Sequence, residues 1–344
     1  MEAVTLRDIA AAAGVSVDTV SRVLNGKAKA TWPSAKRRFD AIQQIADSMN
    51  YRPNAAARAI RNSKTRVIGA LVRNNPRNRF VHPLAFETLL GINDGLEAAG
   101  YVLSIIRYDD VEFDTPTGSR VFRERMLDGM IALESIPHHV VQRLEELVPV
   151  CVWANTNVWR NHSCIHRDEV AVGRLAASRL AALGYRQFAL VGGKAASVPH
   201  YSHSDRLWGV REAVEEVGGV LHHVELPWDP GFSANNFPLE LLRPEVAFIA
   251  EGTYWATWLA TAAAGLGKTA AYDFGLACCD ESSEIRRYWP GLSRVTFDHY
   301  GMGQQAAAMM LQRLDEKPVL PDSILLESGW RAGNTAWGPD AARL

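Results

Sequence analysis

Thr5-Leu6-Arg7-Asp8-Ile9-Ala10, Ala13-Gly14-Val15-Ser16 and Thr19-Val20-Ser21-Arg22-Val23-Leu24-Asn25-Gly26 are the runs from which the fold is read. Thr5 stands where it can cap a helix whose apolar positions are Leu6, Ile9, Ala10 and Ala13. Gly14 allows the left-handed turn that ends it. Ser16 can cap a second helix, with Val20, Val23 and Leu24 on one face. A helix-turn-helix needs a small residue at the crossing, a permissive turn and a branched apolar residue packing back, and Ala10, Gly14 and Val20 supply them. The second helix then turns Val17, Asp18, Ser21, Arg22 and Asn25 outward, where its early residues would meet base edges in a major groove. A third helix over residues 34–49 is expected to bury Phe39, Ile42, Ile45 and Ala46. On spacing alone, any small three-helix module would also fit.

Charge separates these readings. The chain has 344 residues and a formal net charge of −1. Residues 1–66 carry 12 Lys/Arg and 5 Asp/Glu, a net of +7, so the rest carries 25 and 33, a net of −8. A basic module on an acidic body is the footprint of a nucleic-acid binder. With 47% hydrophobic and 22% charged residues the chain is neither disordered nor collagen-like. Cys151, Cys164, Cys278 and Cys279 form no Cys-x-x-Cys and read as reduced core thiols. No run of 18 apolar residues exists to span a membrane, and residues 1–8 hold no apolar leader, so a cytoplasmic location is expected.

From residue 66 onward, strand-like and helix-like stretches alternate. Strands are expected at 67–72, 101–106, 130–133, 150–153, 188–191, 246–250 and 274–278. Helices are expected at 84–99, 140–147, 170–183, 207–217, 255–264 and 303–314. Such alternation predicts an α/β core of parallel sheets covered by helices on both faces, long enough for two lobes. Ligands in open sheets of this kind sit at the carboxyl ends of the strands.

The opening runs, with Tyr51-Arg52-Pro53-Asn54, Val67-Ile68-Gly69, Leu183-Gly184-Tyr185-Arg186 and Arg206-Leu207-Trp208-Gly209, closely resemble the lac repressor/galactose repressor family of transcriptional regulators. The resemblance covers nearly the whole chain. It implies a helix-turn-helix DNA-binding domain over 1–50, a hinge over 51–64 and an effector-binding and dimerisation core over 65–344. That core would resemble periplasmic binding proteins, with lobes of roughly 65–165 plus 297–325, and 166–296. The implied partners are double-stranded DNA with a pseudo-palindromic operator, a small-molecule effector and a second copy of the chain. Ser16 and Ser21 would hold phosphates, and Val17, Asp18 and Arg22 would read bases. Arg22 suits guanine and Asp18 a cytosine amine. Thr5, Thr19 and Asn25 complete that face. Asn54, Arg58 and Ile60 belong to the hinge, with Ile60 where the family usually places a Leu wedge. Trp32, in the loop before the third helix, reads as a structural anchor rather than a base contact.

In the core the resemblance implies an effector clamp made of Arg206 and Asp280, the alternative being that either forms a structural salt bridge instead. Two positions depart from the family pattern. Glu251 stands for an Asn, and Phe297, next to Asp298, stands near a Gln. Trp153, Trp228 and Trp255 could offer flat rings to a sugar, their alternative role being core packing. A sugar or sugar derivative is the expected effector, a nucleobase the runner-up.

Other signals are weaker. Gly265-Leu266-Gly267-Lys268-Thr269 ends like a phosphate-binding loop but has Ala262 where that motif needs Gly. The histidines at 138–139, 200, 203 and 222–223 lack a third ligand at metal spacing and read as surface or loop residues. No nucleophile motif is present. No catalytic residue, metal or cofactor is therefore expected, and a sugar-binding transport protein or a glycan-acting enzyme are the lesser alternatives.

Overall fold

Thr5 and Asp8 start the first helix by capping each other. Thr5 Oγ1 accepts from the Asp8 amide at 3.4 Å while Asp8 Oδ2 accepts from the Thr5 amide at 2.8 Å. Such a capping box contributes about 1 kcal/mol. This helix, α1 (Leu6–Ala13), ends at Gly14 in the left-handed region, φ +64°. Ser16 Oγ accepts from the Thr19 amide at 3.2 Å and begins α2 (Val17–Leu24). Pro33 opens α3 (Pro33–Ser48). Ile9, Ala10, Val20, Val23, Ile42 and Ala46 form the core of the three helices. Phe39 and Ile45 pack at its rim, less buried than their spacing suggested. Trp32 corrects its expected role as an anchor. Pro33 fixes the helix start one residue later, so Trp32 falls on the N-cap, 73% exposed.

The computed structural model describes residues 4–25, 32–53, 59, 64–73, 83–108, 120–160, 162–194, 200–227, 238–315 and 322–339. The chain divides into two compact units, Met1–Thr65 and Arg66–Leu344. Among the described residues the second unit holds two six-stranded sheets. The first sheet contains β1 (Val67–Arg73), β2 (Val102–Tyr108), β3 (Gly129–Glu134), β4 (Cys151–Thr156), β5 (Cys164–Arg167) and β11 (Ser323–Leu326). Its order is β11-β5-β4-β3-β1-β2, all parallel. The second sheet contains β6 (Gln187–Gly193), β7 (Val220–Leu226), β8 (Val246–Ala250), β9 (Gly275–Cys278), β10 (Ser293–Thr296) and β12 (Gly329–Arg331). Its order is β12-β10-β9-β8-β6-β7, with β12 alone antiparallel.

Apolar clusters lie on both faces of each sheet. On the first sheet one gathers α4 (Pro83–Glu97) and α11 (His299–Leu314), and the other α6 (His138–Leu147) with Phe122 of the short α5 (Arg120–Arg123). On the second sheet one gathers α7 (Glu169–Ala182) and α8 (Tyr201–Glu216), and the other α9 (Thr253–Gly265) with Ile285 of α10 (Ser283–Tyr288). The chain passes between the sheets after β5, after β10 and after β11. In each sheet the order reverses beside the first strand, between β1 and β3 and between β6 and β8. The carboxyl ends of strands beside such a reversal form the crevice of an α/β sheet. All four cysteines are free thiols, and burial pushes Cys151 and Cys279 up to about 12.

Sequence pattern found seven of these strands and missed β5, β7, β10, β11 and β12. β5 is four buried residues of which two, His166 and Arg167, are polar. β7 is an edge strand whose alternation is broken by His222 and His223. α8 begins six residues before its expected start.

Two helix pairs cross at glycine. A Cβ on Gly173 would lie 2.1 Å from the Arg206 carbonyl, and one on Gly209 would lie 2.0 Å from the Val170 carbonyl. In the first lobe, Gly91 meets the Tyr300 carbonyl and Gly303 the Thr88 carbonyl in the same way, at 2.0 and 2.1 Å. Backbone leaves no room to give. Gly209→Ala should therefore cost at least about 1–3 kcal/mol of stability, as overpacking does. Urea unfolding of the two proteins measures it, and equal midpoints would show that the crossing tolerates a methyl group.

Candidate functional site

Two groups of side chains carry the sequence expectations, one in each unit. In the first unit α2 exposes Val17, Asp18 and Arg22, while Val20 and Val23 face inward. Thr19 and Ser21 are half-buried at the edges of that face. Asn25 is exposed and donates from Nδ2 to the Ser21 carbonyl at 2.6 Å. Thr5 and Ser16 spend their hydroxyls inside the chain: Thr5 donates to Asp8 at 2.7 Å, and Ser16 Oγ lies 2.9 Å from Thr19 Oγ1. What α1 and α2 offer outward at these caps is their first-turn N–H groups, which suit phosphate oxygens. Asn54, Arg58 and Ile60 lie outside the described residues.

In the second unit a buried polar cluster forms at the carboxyl ends of β4, β5, β8 and β9. Asp280 follows β9 and is 4% exposed. Its Oδ1 meets Arg167 Nη1 at 3.1 Å and His299 Nε2 at 3.2 Å, and accepts from the Glu281 amide at 2.9 Å. Its Oδ2 lies 3.5 Å from Arg206 Nη2. Burial alone would raise this carboxyl, but Arg167, His299 and Arg206 outweigh it and hold it well below the usual carboxylate range. Arg206 forks onto Glu169, with Nε to Oε2 at 2.7 Å and Nη2 to Oε1 at 2.8 Å. Its Nη1 donates to the Glu251 carbonyl. Burial opposes its charge, and Glu169 with Asp280 more than restores it.

Arg167 ends β5, and its guanidinium crosses to the second sheet. It donates from Nε to Ser328 Oγ at 2.8 Å and from Nη2 to the Cys279 carbonyl at 3.0 Å, and it lies 4.8 Å over the Phe297 ring. A second link between lobes runs through Asn155, at φ +52°, near the end of β4. Tyr201 donates to Asn155 Oδ1 at 2.9 Å, and His200 Nε2 meets the Asn155 carbonyl at 2.9 Å. Tyr201 stacks on the His166 ring and Trp159 tilts against the same ring, both at 4.8 Å. The His166 Nε2 atom is buried and meets no hydrogen-bond partner among the described residues. Burial pushes both His166 and His200 down to about 4.

The structure thus brings Arg206, Asp280, Glu251 and Phe297 together. Glu251 is buried, with its carboxylate 2.8 Å from His203 Nδ1. Asp298 points elsewhere: it is exposed and caps α11 by accepting from the Gly301 amide at 2.7 Å. Trp153 and Trp255 are 2% and 3% exposed within apolar clusters, Trp255 edge-on to Trp258 at 6.3 Å. Their rings are packing groups, because both lie on inward faces of their elements. Trp228 lies outside the described residues. Sequence reading missed Arg167, Glu169, Asn155, Tyr201 and His299, and it took His200 and His203 for surface residues. The early start of α8 puts these histidines at its first turn, His200 against Asn155 of the other lobe and His203 against Glu251 of its own. An acid directly after Asp168 at a helix start was the available signal for Glu169.

His166 and His200 are held neutral in the fold, whereas the unfolded chain binds their protons near pH 6.5. Stability should therefore fall as pH drops from about 6.5 to 4, by up to about 1.4 kcal/mol per pH unit for each imidazole. His166→Phe, which keeps the ring stack, should flatten the slope by one such share in denaturant titrations at several pH values. An unchanged slope would show that His166 titrates alike in both states.

With the geometry in hand, comparison with known proteins gives a consistent result. Residues 5–54 match the family model "Bacterial regulatory proteins, lacI family", and residues 177–335 match "Periplasmic binding protein-like domain". The chain is 21% identical over 330 residues to the HTH-type transcriptional regulator KdgR of Bacillus subtilis, covering 94% of this chain and 95% of that one. It is 24% identical over 342 residues to the ribose operon repressor of Halalkalibacterium halodurans, covering 96% and 98%. Its fold matches the lac repressor dimer bound to operator and the anti-inducer ONPF, with TM-score 0.79, 19% identity and coverage of 97% and 99%. It also matches a complex of the transcriptional regulator CelR with cellobiose, with TM-score 0.67, 21% identity and coverage of 96% and 99%. The chain thus carries a lacI-family helix-turn-helix domain and a periplasmic-binding-protein-like domain, and along nearly its whole length it is similar to transcriptional regulators that combine the two.

Proposed function

We propose that the chain is a dimeric transcriptional regulator that binds a pseudo-palindromic operator and is controlled by a small polyhydroxylated effector in the cleft between its two lobes. The observation that carries the proposal is the exposed face of α2. Val17, Asp18 and Arg22 stand outward on a doubly capped helix pair, in a segment of net charge +7. Arg22 pairs with a guanine, Asp18 accepts from a cytosine amine and Val17 touches a thymine methyl. Phosphates meet the first-turn amides, Ser21 and the basic side chains. Residues 51–64 act as the hinge, with Ile60 as the minor-groove wedge.

One module makes few base contacts, and a two-fold pair doubles them. β2 is a sheet edge with Val102 and Ile105 more than half exposed, and Phe86 and Leu90 are exposed on the adjoining α4. This apolar surface supports a dimer, as does the lac repressor dimer to which the fold is similar. In the core, Arg206, Asp280 and Glu251 cluster at strand ends, and relatives of the same fold are seen with cellobiose and ribose. Effector binding there changes the relation of the lobes and hence operator affinity, by a coupling of typically 1–3 kcal/mol. The regulator works in the cytoplasm and has no catalytic role.

Footprinting of the full chain on selected operators should show a protected site with a dyad. Arg22→Ala should lose about 1–3 kcal/mol of specific affinity and little non-specific affinity. Affinity should also fall steeply with salt. A footprint without a dyad, or an unchanged Arg22→Ala protein, would overturn the proposal.

A further inference from the structure

The cation at the centre of the cleft cluster is already engaged. Arg206 has five N–H donors in a rigid fork, and four meet acceptors of this chain: two on Glu169 at 2.7 and 2.8 Å, one on the Glu251 carbonyl and one on Asp280 at 3.5 Å. Parallel pairing of a guanidinium with both oxygens of a carboxylate is the geometry by which arginine would otherwise grip an acid ligand. Glu169 takes that place. It is 3% exposed and stands at the first turn of α7, next to the capping Asp168.

The pairing is enforced by the backbone. α7 and α8 cross at Gly173 and Gly209 with no room for a Cβ, so the main chain of Arg206 rests against α7. Glu169 and Arg206 therefore separate only if the helices do. Around them the count of charge is also set. Arg167 and Arg206 meet two buried carboxylates, Glu169 and Asp280, and the buried Glu251 carboxylate nearby meets His203. The neighbouring imidazoles are His203 on Glu251, His299 on Asp280, and His200. Each guanidinium is thus matched by a buried carboxylate of this chain. A carboxylate or phosphate entering the cluster would find both of these guanidiniums already paired and would lie beside buried carboxylates where water is scarce. Hydroxyls can instead donate to carboxylate lone pairs that remain beside the ion pairs.

We infer that Glu169 sets the charge specificity of the cleft: by closing the Arg206 fork from within, it excludes acid- and phosphate-bearing ligands and leaves a site for uncharged saccharides. The inference rests on the cleft being the effector site. Its test uses the full-length chain, wild type and Glu169→Gln, with calorimetry and thermal shift on matched pairs: glucose and glucuronate, galactose and galacturonate, ribose and ribose 5-phosphate, cellobiose and cellobionate. Wild type should bind the neutral member of at least one pair, and its acid at least about tenfold more weakly, a difference of about 1.4 kcal/mol. In Glu169→Gln the acid should gain at least about tenfold. Glu169→Asp, which keeps the charge, should keep the exclusion. Preference of wild type for an acid or phosphate member would overturn the inference, and this ratio decides it even if Glu169→Gln does not fold. If no neutral sugar binds either protein, the saccharide reading of the cleft fails. The role of Glu169 is then read from citrate and inorganic phosphate, which should stabilise Glu169→Gln and not wild type. Equal responses of the two proteins to these anions would sink it.

Discussion

The carboxylate of Asp280 is the point on which the core depends. It lies between a guanidinium from the first sheet, Arg167 at 3.1 Å, and one from the second lobe, Arg206 at 3.5 Å. Removing such a charge from water costs several kcal/mol, and only close partners return it. Asp280 has four, counting His299 and the Glu281 amide. Each partner is tied in turn: Arg167 to Ser328 and Cys279, Arg206 to Glu169 and Glu251. No member can leave without stranding a buried charge. Such a cluster is a weak source of net stability and a strong source of geometry, since it accepts one arrangement of the strand ends.

Much of the fold was legible because apolar periodicity survives wherever a strand or helix buries a face. β8 and β9 were found as uninterrupted apolar runs, and α4 and α7 by their spacing and terminal glycines. The elements that escaped are those that bring charge into the interior. Cys164-Ile165-His166-Arg167 is fully buried yet half polar, because its last two residues serve the junction between lobes rather than the core. The same reason hides the site. Arg206 and Asp280 were visible through family resemblance, whereas Glu169 and Arg167 are partners that no spacing links, being 37 and 113 residues from the groups they hold. Aromatic content misled in the opposite direction. Trp153 and Trp255 carry the residue type a sugar site would use, but inward-facing positions claim them for packing.

Both lobes place their principal helix pair by glycine. α4 with α11 and α7 with α8 approach until backbone touches backbone, which fixes the depth of each helix against its sheet. In the second lobe that depth puts Glu169 within reach of Arg206. The close packing of an ordinary helix crossing therefore decides the charge of the cleft, a link from glycine to specificity that no single contact reveals.

Arg167 stands at the first of the three strands by which the chain passes from one lobe to the other. Its guanidinium touches the other two: Phe297 just after β10 and Ser328 just after β11. Three threads held by one planar group resist sliding far more than turning. A movement of the lobes that keeps these contacts is a rotation about an axis through that group, much as a door turns on its pin. Displacement grows with distance from the pin, so the far rims of the lobes travel most while the strand ends hardly move.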